Sequence, residues 1–494
     1  MQKTELILCR AKYLLPLAHP DRGERIKDGY ILSEGEQIKE VGHYTTDIEK
    51  RLFDTYGEKL RVLRPLGSSK ELKVPQFNGV LMPAFVKAHG HDHEQPIIGI
   101  AKDEPLTMWL DHAVNPFTGF INKEMEKLTE LLGASPHLAT YRMARVSDIH
   151  YGITASMVHH CNHNKYHLKE IAEANEAAGT TMIVAVGGQD RFYFAELLDK
   201  PEEVIERLDK ALEIPNLTRT SFCPGPDQLF SNSRDVLIPL KAWAKKHNTL
   251  FHIHSSEEPK TTQWFQREIE KGFTPVEYAH EIGVLDENSV LAHQVNCGPN
   301  DLEILAKTKT KIVHNPLANT ILGSGMPPII EMLQAGIKVA ISTDGSGSAD
   351  NQNILSAAKL AAQYQKAHHQ DATLLKSQEL LEMITHIPAE ILRLNQGELA
   401  PKKDADWIII DLNRPNLTPT RLDNLMENII WAADGSEIST VVSKGRLLKA
   451  HHQVQDFIDG TTPQSIMNSV QTLSEAFAEY RKTAPVISGT GANQ

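Results

Sequence analysis

From about residue 80 onward the chain alternates short β-rich runs with amphipathic helical stretches, and this alternation limits its possible folds more than any other feature. Strand-like runs occur at 82–91 (MPAFVKAHGH), 152–160 (GITASMVHH), 181–188 (TMIVAVGG), 219–225 (RTSFCPG), 249–256 (TLFHIHSS), 289–295 (SVLAHQV), 311–316 (KIVHNP) and 338–345 (KVAISTDG). Several are almost continuously apolar, as expected of strands covered by protein on both faces. Helical patterns such as HLKEIAEANEAAG, DVLIPLKAWAKKHN and PPIIEMLQAG lie between them and end on Gly or Asn, as helix C-termini prefer. Eight strands alternating with helices predict an α/β chain with a (β/α)8 TIM barrel over residues 77–392.

The flanks read differently. Residues 1–76 contain ELILC and YILSEGEQIKEVG, and residues 393–454 contain GELAPKKDADWIIIDL and STVVSKGRLLKAHHQV. These are short strands joined by Gly-containing turns, and they are expected to form one small β-sandwich domain built from both flanks. Residues 455–494 predict a helix over SIMNSVQTLSEAFAEYRK and then a loose Gly-, Thr- and Asn-rich tail.

An apolar content of 41% and a charged content of 23% fit a soluble globular protein. The net charge of −12 and the lack of a long basic run argue against nucleic acid or anionic membrane as partners. No apolar stretch is long enough to span a bilayer, and Arg10 and Lys12 break the N-terminal runs, so no signal peptide is expected. Cys9, Cys161, Cys223 and Cys297 lie far apart without CxxC spacing, which predicts free thiols in a reducing cytoplasm.

The stretch VKAHGHDHEQ at 86–95 sets His89, His91 and His93 at alternate positions, which a strand would present on one face. Barrel active sites lie at the C-terminal ends of the strands. His89 and His91 end the first run, His254 the fifth, His293 the sixth and Asp344 the eighth. Three imidazoles and a carboxylate suit Zn²⁺ or Fe²⁺ with a position left open for water. Glu257, three residues after His254, lies near enough to the same rim to act on a substrate without binding a metal.

MPAFVKAHGH, GIAKDEPLTMWL, HIHSSEE, VLAHQV, VHNPLANTILGSGMPPI, STDGSGSADN and GELAPKKDADWIIIDL follow one another in an order that resembles the amidohydrolase superfamily. Within its cytosine-deaminase-like branch, the resemblance points to the chlorohydrolase and S-adenosylhomocysteine/methylthioadenosine deaminase group. It covers roughly residues 25–450. It implies that His89, His91, His254 and Asp344 hold one divalent metal, zinc first and iron second. It also implies catalytic roles for Glu257 as proton shuttle and for His293 and Asp344 beside the water. A metal lowers the pKa of its water to about 7, and the related cytosine chemistry also relies on a Glu that is not a ligand. Binuclear relatives bridge two metals with a carboxylated lysine after strand 4. Here no lysine lies between Lys210 and Lys241, so one metal per chain is expected.

The implied reaction is hydrolytic deamination of an amino-substituted nitrogen heterocycle: a purine, pterin, pyrimidine or triazine. Alternatives are release of chloride or an alkylamine, opening of a cyclic amide, or a catalytically silent metal-binding homologue. Retention of Glu257 counts against the last. The expected partners are a small heterocyclic substrate and further copies of the chain in a homodimer or higher homo-oligomer.

The nucleoside-reading positions of that group are altered. Phe117 and Thr118 follow Pro116 where an acid is expected, and Gly225 and Pro226 follow Pro224 where a His is expected. Ala318-Asn319 replaces Ser-Asn, and Gln294 follows His293 in place of Cys. Trp109, His160 and Asn319 are the candidate substrate contacts. Trp109 and Leu110 would anchor the loop after the first strand, while His160, within HHCNHNKYH (159–167), reads as pocket wall. His93 is expected to leave the rim without binding metal. Cys223 and Cys297 read as packing residues, and GSGSAD and LGSGMPP as turns.

Overall fold

Two four-stranded parallel sheets carry the middle of the chain in the computed structural model, which describes residues 5–483. The tail expected over 484–494 lies outside the described residues. The first sheet contains β1 (Phe85–Lys87), β2 (Ile153–His160), β3 (Thr181–Gly188) and β4 (Thr220–Pro226), in sequence order. The second contains β5 (Phe251–Ser255), β6 (Ser289–His293), β7 (Lys311–His314) and β8 (Val339–Ile341), again in order.

The sheets meet at both edges. A parallel bridge joins Gln228, after β4, to His254 on β5. At the other edge the His89 N–H donates to Ser342 Oγ at 3.2 Å, and the Ser342 hydroxyl donates back to the His89 carbonyl at 2.6 Å. Val86, Ala88, Ala155, Met157, Ala185 and Val290 belong to one buried cluster that also takes in Val313 and Ala340, so residues from both sheets share an interior. Alternate strand positions point to one face, so the opposite positions pack outward under the helices.

The expected strands are present, with one displacement. Residues 82–83, assigned to the first barrel strand, instead end the flank strand Gln76–Pro83, and β1 begins only at Phe85. MPAFV is apolar throughout because both sheets bury it, so periodicity cannot reveal a change of sheet within the run.

The flanks join by hydrogen bonds into a nine-stranded mixed sheet. Its seam is the antiparallel pairing of Trp407–Asp411 with Gln76–Pro83, which unites strands from the two flanks. Trp407, Ile409 and Leu81 pack with Ile7, Cys9 and Ile31 on one face.

The C-terminal helix Pro463–Arg481 forms as expected, with the Thr462 side chain accepting the Ser465 N–H. It lies against the segment that follows β1. The Phe477 ring centroid is 5.2 Å from that of Phe117 and 5.4 Å from that of Phe120, and Leu473 shares their cluster with Leu106 and Trp109. Among the described residues no helix is long and apolar enough to cross a membrane.

Phe477→Ala should destabilise the chain by about 3–5 kcal/mol, the usual cost of emptying a buried aromatic site. Denaturant unfolding checks it, and a loss below about 1 kcal/mol would show that this helix does not support the post-β1 segment.

Candidate metal centre

β1 ends at Lys87, and the next residues carry His89-Gly90-His91 across the rim. Gly90 is required by space: a Cβ there would lie 3.1 Å from the Asp344 carbonyl and 3.1 Å from Lys87 Cε. The loop is held from below by a buried ionic network. Lys87 Nζ donates to Asp148 Oδ1 at 2.8 Å and to Gln352 Oε1 at 2.9 Å. Arg145 Nη2 lies 2.6 Å from both oxygens of Asp92, the residue after His91. Glu94 Oε2 ties the same loop to the segment after β8 by accepting the Gly347 and Ser348 N–H groups at 3.1 and 2.9 Å.

Four ligand-type atoms converge above this base. His91 Nε2 is 3.2 Å from His254 Nε2, and Asp344 Oδ1 is 3.2 Å from His89 Nε2 and 3.5 Å from His91 Nε2. Tetrahedral geometry with bonds of about 2.1 Å separates ligand atoms by about 3.4 Å, so the spacing fits a zinc-sized cation.

The hydrogen bonds fix which nitrogen is free. His91 Nδ1 donates to the His159 carbonyl at 3.1 Å, and His254 Nδ1 to the Asp227 carbonyl at 2.6 Å. His252 Nδ1 donates to the Val290 carbonyl at 3.0 Å, so its Nε2 accepts the N–H of His89 Nδ1 at 2.7 Å. Each of the three Nε2 atoms therefore presents a lone pair to the centre. Burial holds His89 and His91 well below the usual imidazole range, with neighbouring imidazoles adding to the effect, so both rings are neutral. His89 Nε2 is buried and has no hydrogen-bond partner among the described residues. Facing lone pairs at 3.2 Å repel unless a cation lies between them, so the donor set fits a divalent metal.

His293 and Glu257 stand beside this set. His293 Nε2 is 3.6 Å from Glu257 Oε2 and 3.8 Å from Asp344 Oδ2. Its Nδ1 meets Asn319 Oδ1 at 2.8 Å, so Asn319 orients His293. Burial pushes the Glu257 carboxyl up to about 8. His293 and Asp344 have φ values of +73° and +71°, left-handed backbone that costs non-glycine residues about 1–3 kcal/mol and is found at functional sites.

A cleft opens here, lined by His91, Glu257, His293 and Asp344 on the polar side. Leu106, Trp109, Leu110 and Val114 form an apolar wall, from a helical segment that passes through a π turn at Leu110–Val114. Trp109 thus lies where a substrate contact was expected. His160 does not line the cleft: it is fully buried beside Tyr141, whose hydroxyl is 3.5 Å from its Nε2. His93 lines the cleft and is buried, and its Nδ1 has no hydrogen-bond partner among the described residues.

Sequence reasoning missed His252, although period-2 alternation in HIH puts it on the face of His254. It also missed Tyr193 and Asp227, which line the cleft from the segments after β3 and β4 and carry no spacing signal. His159, Cys161 and Asp227 bring ligand atoms within 4.8 Å of one another. Burial, and then the Asp227 charge, raise the Cys161 thiol well above its usual range, so it stays protonated and is a poor ligand.

The sequence profile described as "Amidohydrolase family" matches residues 80–448, more than half of the chain. The chain belongs to the amidohydrolase family. Within it, the chain is 29% identical over 428 residues to a 5-methylthioadenosine/S-adenosylhomocysteine deaminase of Thermococcus sibiricus, covering 86% of this chain and 93% of that one. It is 31% identical over 428 residues to a 5'-deoxyadenosine deaminase of Methanosphaera stadtmanae, covering 86% and 92%. The fold is shared with a zinc-bound adenosine deaminase from Xanthomonas campestris at a TM-score of 0.80 and 18% identity, over 96% of this chain and 98% of that one.

His254→Ala in this amidohydrolase should lose metal and stability together, because binding free energy is also folding free energy. His93→Ala should keep the metal of the wild type. Elemental analysis with thermal unfolding checks both. Full metal in the first variant would remove His254 from the ligand set, and loss of metal in the second would add His93 to it.

Proposed function

We propose that this amidohydrolase hydrolytically deaminates an amino-substituted nitrogen heterocycle, a purine, pterin, pyrimidine or triazine. His89, His91, His254 and Asp344 would hold one divalent cation, zinc first and iron second. The observation that carries the reading is Glu257, a buried carboxyl beside His293 at the edge of the four-donor cluster and open to the cleft. The names of the two relatives, a 5-methylthioadenosine/S-adenosylhomocysteine deaminase and a 5'-deoxyadenosine deaminase, support the reaction class.

A divalent cation held by those donors would supply Lewis-acid activation of a water molecule near neutral pH. The ring enters with one face on the Trp109 and Leu110 wall and its amino-bearing carbon toward Asp344. Asp344 Oδ2 and His293 Nε2, 3.8 Å apart, take and hold the proton lost by the attacking water. Glu257, kept protonated by burial, gives its proton to the ring nitrogen and then passes one to the departing amine. The exocyclic C–NH₂ bond breaks and a C–O bond forms at the same carbon; the two protons of the water end on the ring nitrogen and on the departing amine, so that water and substrate become the oxo-ring and ammonia. Asn319 keeps the His293 ring turned so that Nε2 faces the reaction.

The same proposal includes the wider organisation. The two parallel sheets close as a (β/α)8 barrel that begins at Phe85, past the flank strand Gln76–Pro83, and runs to about residue 392, supported by their shared interior. The flanks, the first extended through Pro83 and the second at 393–454, fold as a β-sandwich, supported by the buried face common to their strands, with the C-terminal helix appended. The chain would work in the cytoplasm as a homodimer or higher homo-oligomer, which sedimentation would check.

Glu257→Gln tests the reading. It should keep metal and bind substrate, since Gln preserves shape and reach, while turnover falls about 10²- to 10⁴-fold with a smaller change in KM. The measurements are metal content and steady-state ammonia release on a panel of amino-substituted rings. Full turnover in the variant would leave the proposal without its proton donor.

A further inference from the structure

The deamination chemistry leaves Asp227 without a task. Its backbone carbonyl holds His254, yet its side chain lines the same cleft as Glu257 and His293. The residue is 4% exposed. Tyr193 Oη donates to Oδ2 at 2.7 Å, and the Ser231 hydroxyl lies 3.4 Å from the same oxygen. Among the described residues nothing donates to Oδ1, and no Lys, Arg or His forms an ion pair with this carboxylate. Three other buried aspartates are answered by a cation from within the chain: Asp92 by Arg145, Asp148 by Lys87 and Asp199 by Lys165. A buried carboxylate with an unused oxygen is costly unless something else supplies the donors. Gln228, the next residue, also lines the cleft, and no described residue hydrogen-bonds its side-chain amide.

We propose that Asp227, with Gln228 beside it, reads a second nitrogen-bearing edge of the substrate ring, an amino group next to a ring N–H or N, distinct from the amino group that leaves. This rests on the deaminase reading and narrows it to rings with an N–C(NH₂)–N edge, such as diaminopyrimidines, pterins, diaminopurines and aminotriazines. The Tyr193 hydroxyl already donates its hydrogen bond to Oδ2, so the site offers a substrate acceptors at Asp227 and an adaptable amide at Gln228. Asp227 is too near the centre to meet a remote substituent such as a sugar: its own carbonyl anchors His254, and its ligand-type oxygen lies within 4.8 Å of His159, whose ring centroid is 4.4 Å from that of His254.

The test uses metal-loaded wild type and Asp227→Asn, checked for equal metal content and circular dichroism. Wild type should favour 2,4-diaminopyrimidine over 4-aminopyrimidine, and 2,6-diaminopurine over adenine, by about 10²-fold or more in kcat/KM, because a site built to hydrogen-bond a group rejects an analogue that lacks it. Asp227→Asn should lose most of that preference through the diamino rings while the monoamino rings change little. Equal loss on both kinds of ring, or no wild-type preference, overturns the proposal. Equilibrium binding of 2-aminobenzimidazole against 2-methylbenzimidazole, read by calorimetry, separates this inference from the reaction. Wild type should bind the amino probe at least about tenfold more tightly, the worth of one hydrogen bond to a charged group. If no ring is deaminated but this preference is present, the reaction reading fails and the assignment of Asp227 stands. If wild type does not discriminate between the probes, Asp227 reads no such edge, and that result needs no folded variant.

Discussion

His91 and His254 point the lone pairs of their Nε2 atoms at each other across 3.2 Å, because carbonyl oxygens claim both Nδ1–H groups. His89 presents a third lone pair 3.2 Å from a carboxylate oxygen of Asp344. Such an arrangement repels itself in a low-dielectric interior and is stable only around positive charge. Protonating the rings would relieve the repulsion, but burial opposes it at His89 and His91. Much of the surrounding structure serves to hold these groups in place.

The Lys87, Asp92, Arg145 and Asp148 network is nearly inaccessible, with side chains 0–2% exposed. Desolvation of the four charges offsets much of their attraction, so the network's main effect is to fix where the His89–His91 loop can lie. Glu94 binds that loop to the segment after β8, and Gly345 is glycine because a side chain would run into the Glu94 carboxylate. Asp344 reaches the centre through left-handed backbone that the ring of contacts must sustain. On the open side, the C-terminal helix braces the wall of Leu106 and Trp109, so a segment remote in sequence shapes the substrate cleft. The central strands supply the metal-type donors, whereas the loops and the last helix shape the space where a ring would sit.

The strand ends were legible in the sequence because parallel strands bring their C-terminal ends to one side, which turns distant positions into neighbours. His89, His91, His254, His293 and Asp344 do converge. The hand-over between sheets at Pro83 was hidden by a uniformly apolar run that both sheets bury. His252 was legible in principle, since alternation puts it beside His254, but its role depends on the hydrogen bond it accepts from His89, which no sequence pattern specifies. His160 drew notice as part of a histidine-rich stretch, yet the strand turns it away from the cleft and toward Tyr141. Asp227 and Tyr193 could not be found by spacing, because their contact joins two irregular segments after neighbouring strands. The donors at the strand ends follow from periodicity, and the lining of the cleft follows from loops whose paths only the folded chain determines.

The central claim is that three imidazoles and one carboxylate, without the nearby Cys161, form the metal's protein shell. The most direct measurement is the zinc K-edge X-ray absorption spectrum of the zinc-loaded protein. The account predicts a shell of nitrogen and oxygen at about 2.0–2.1 Å with the outer-shell scattering of several imidazoles and no sulfur. A zinc–sulfur distance of about 2.3 Å, or a shell without imidazole scattering, would contradict it.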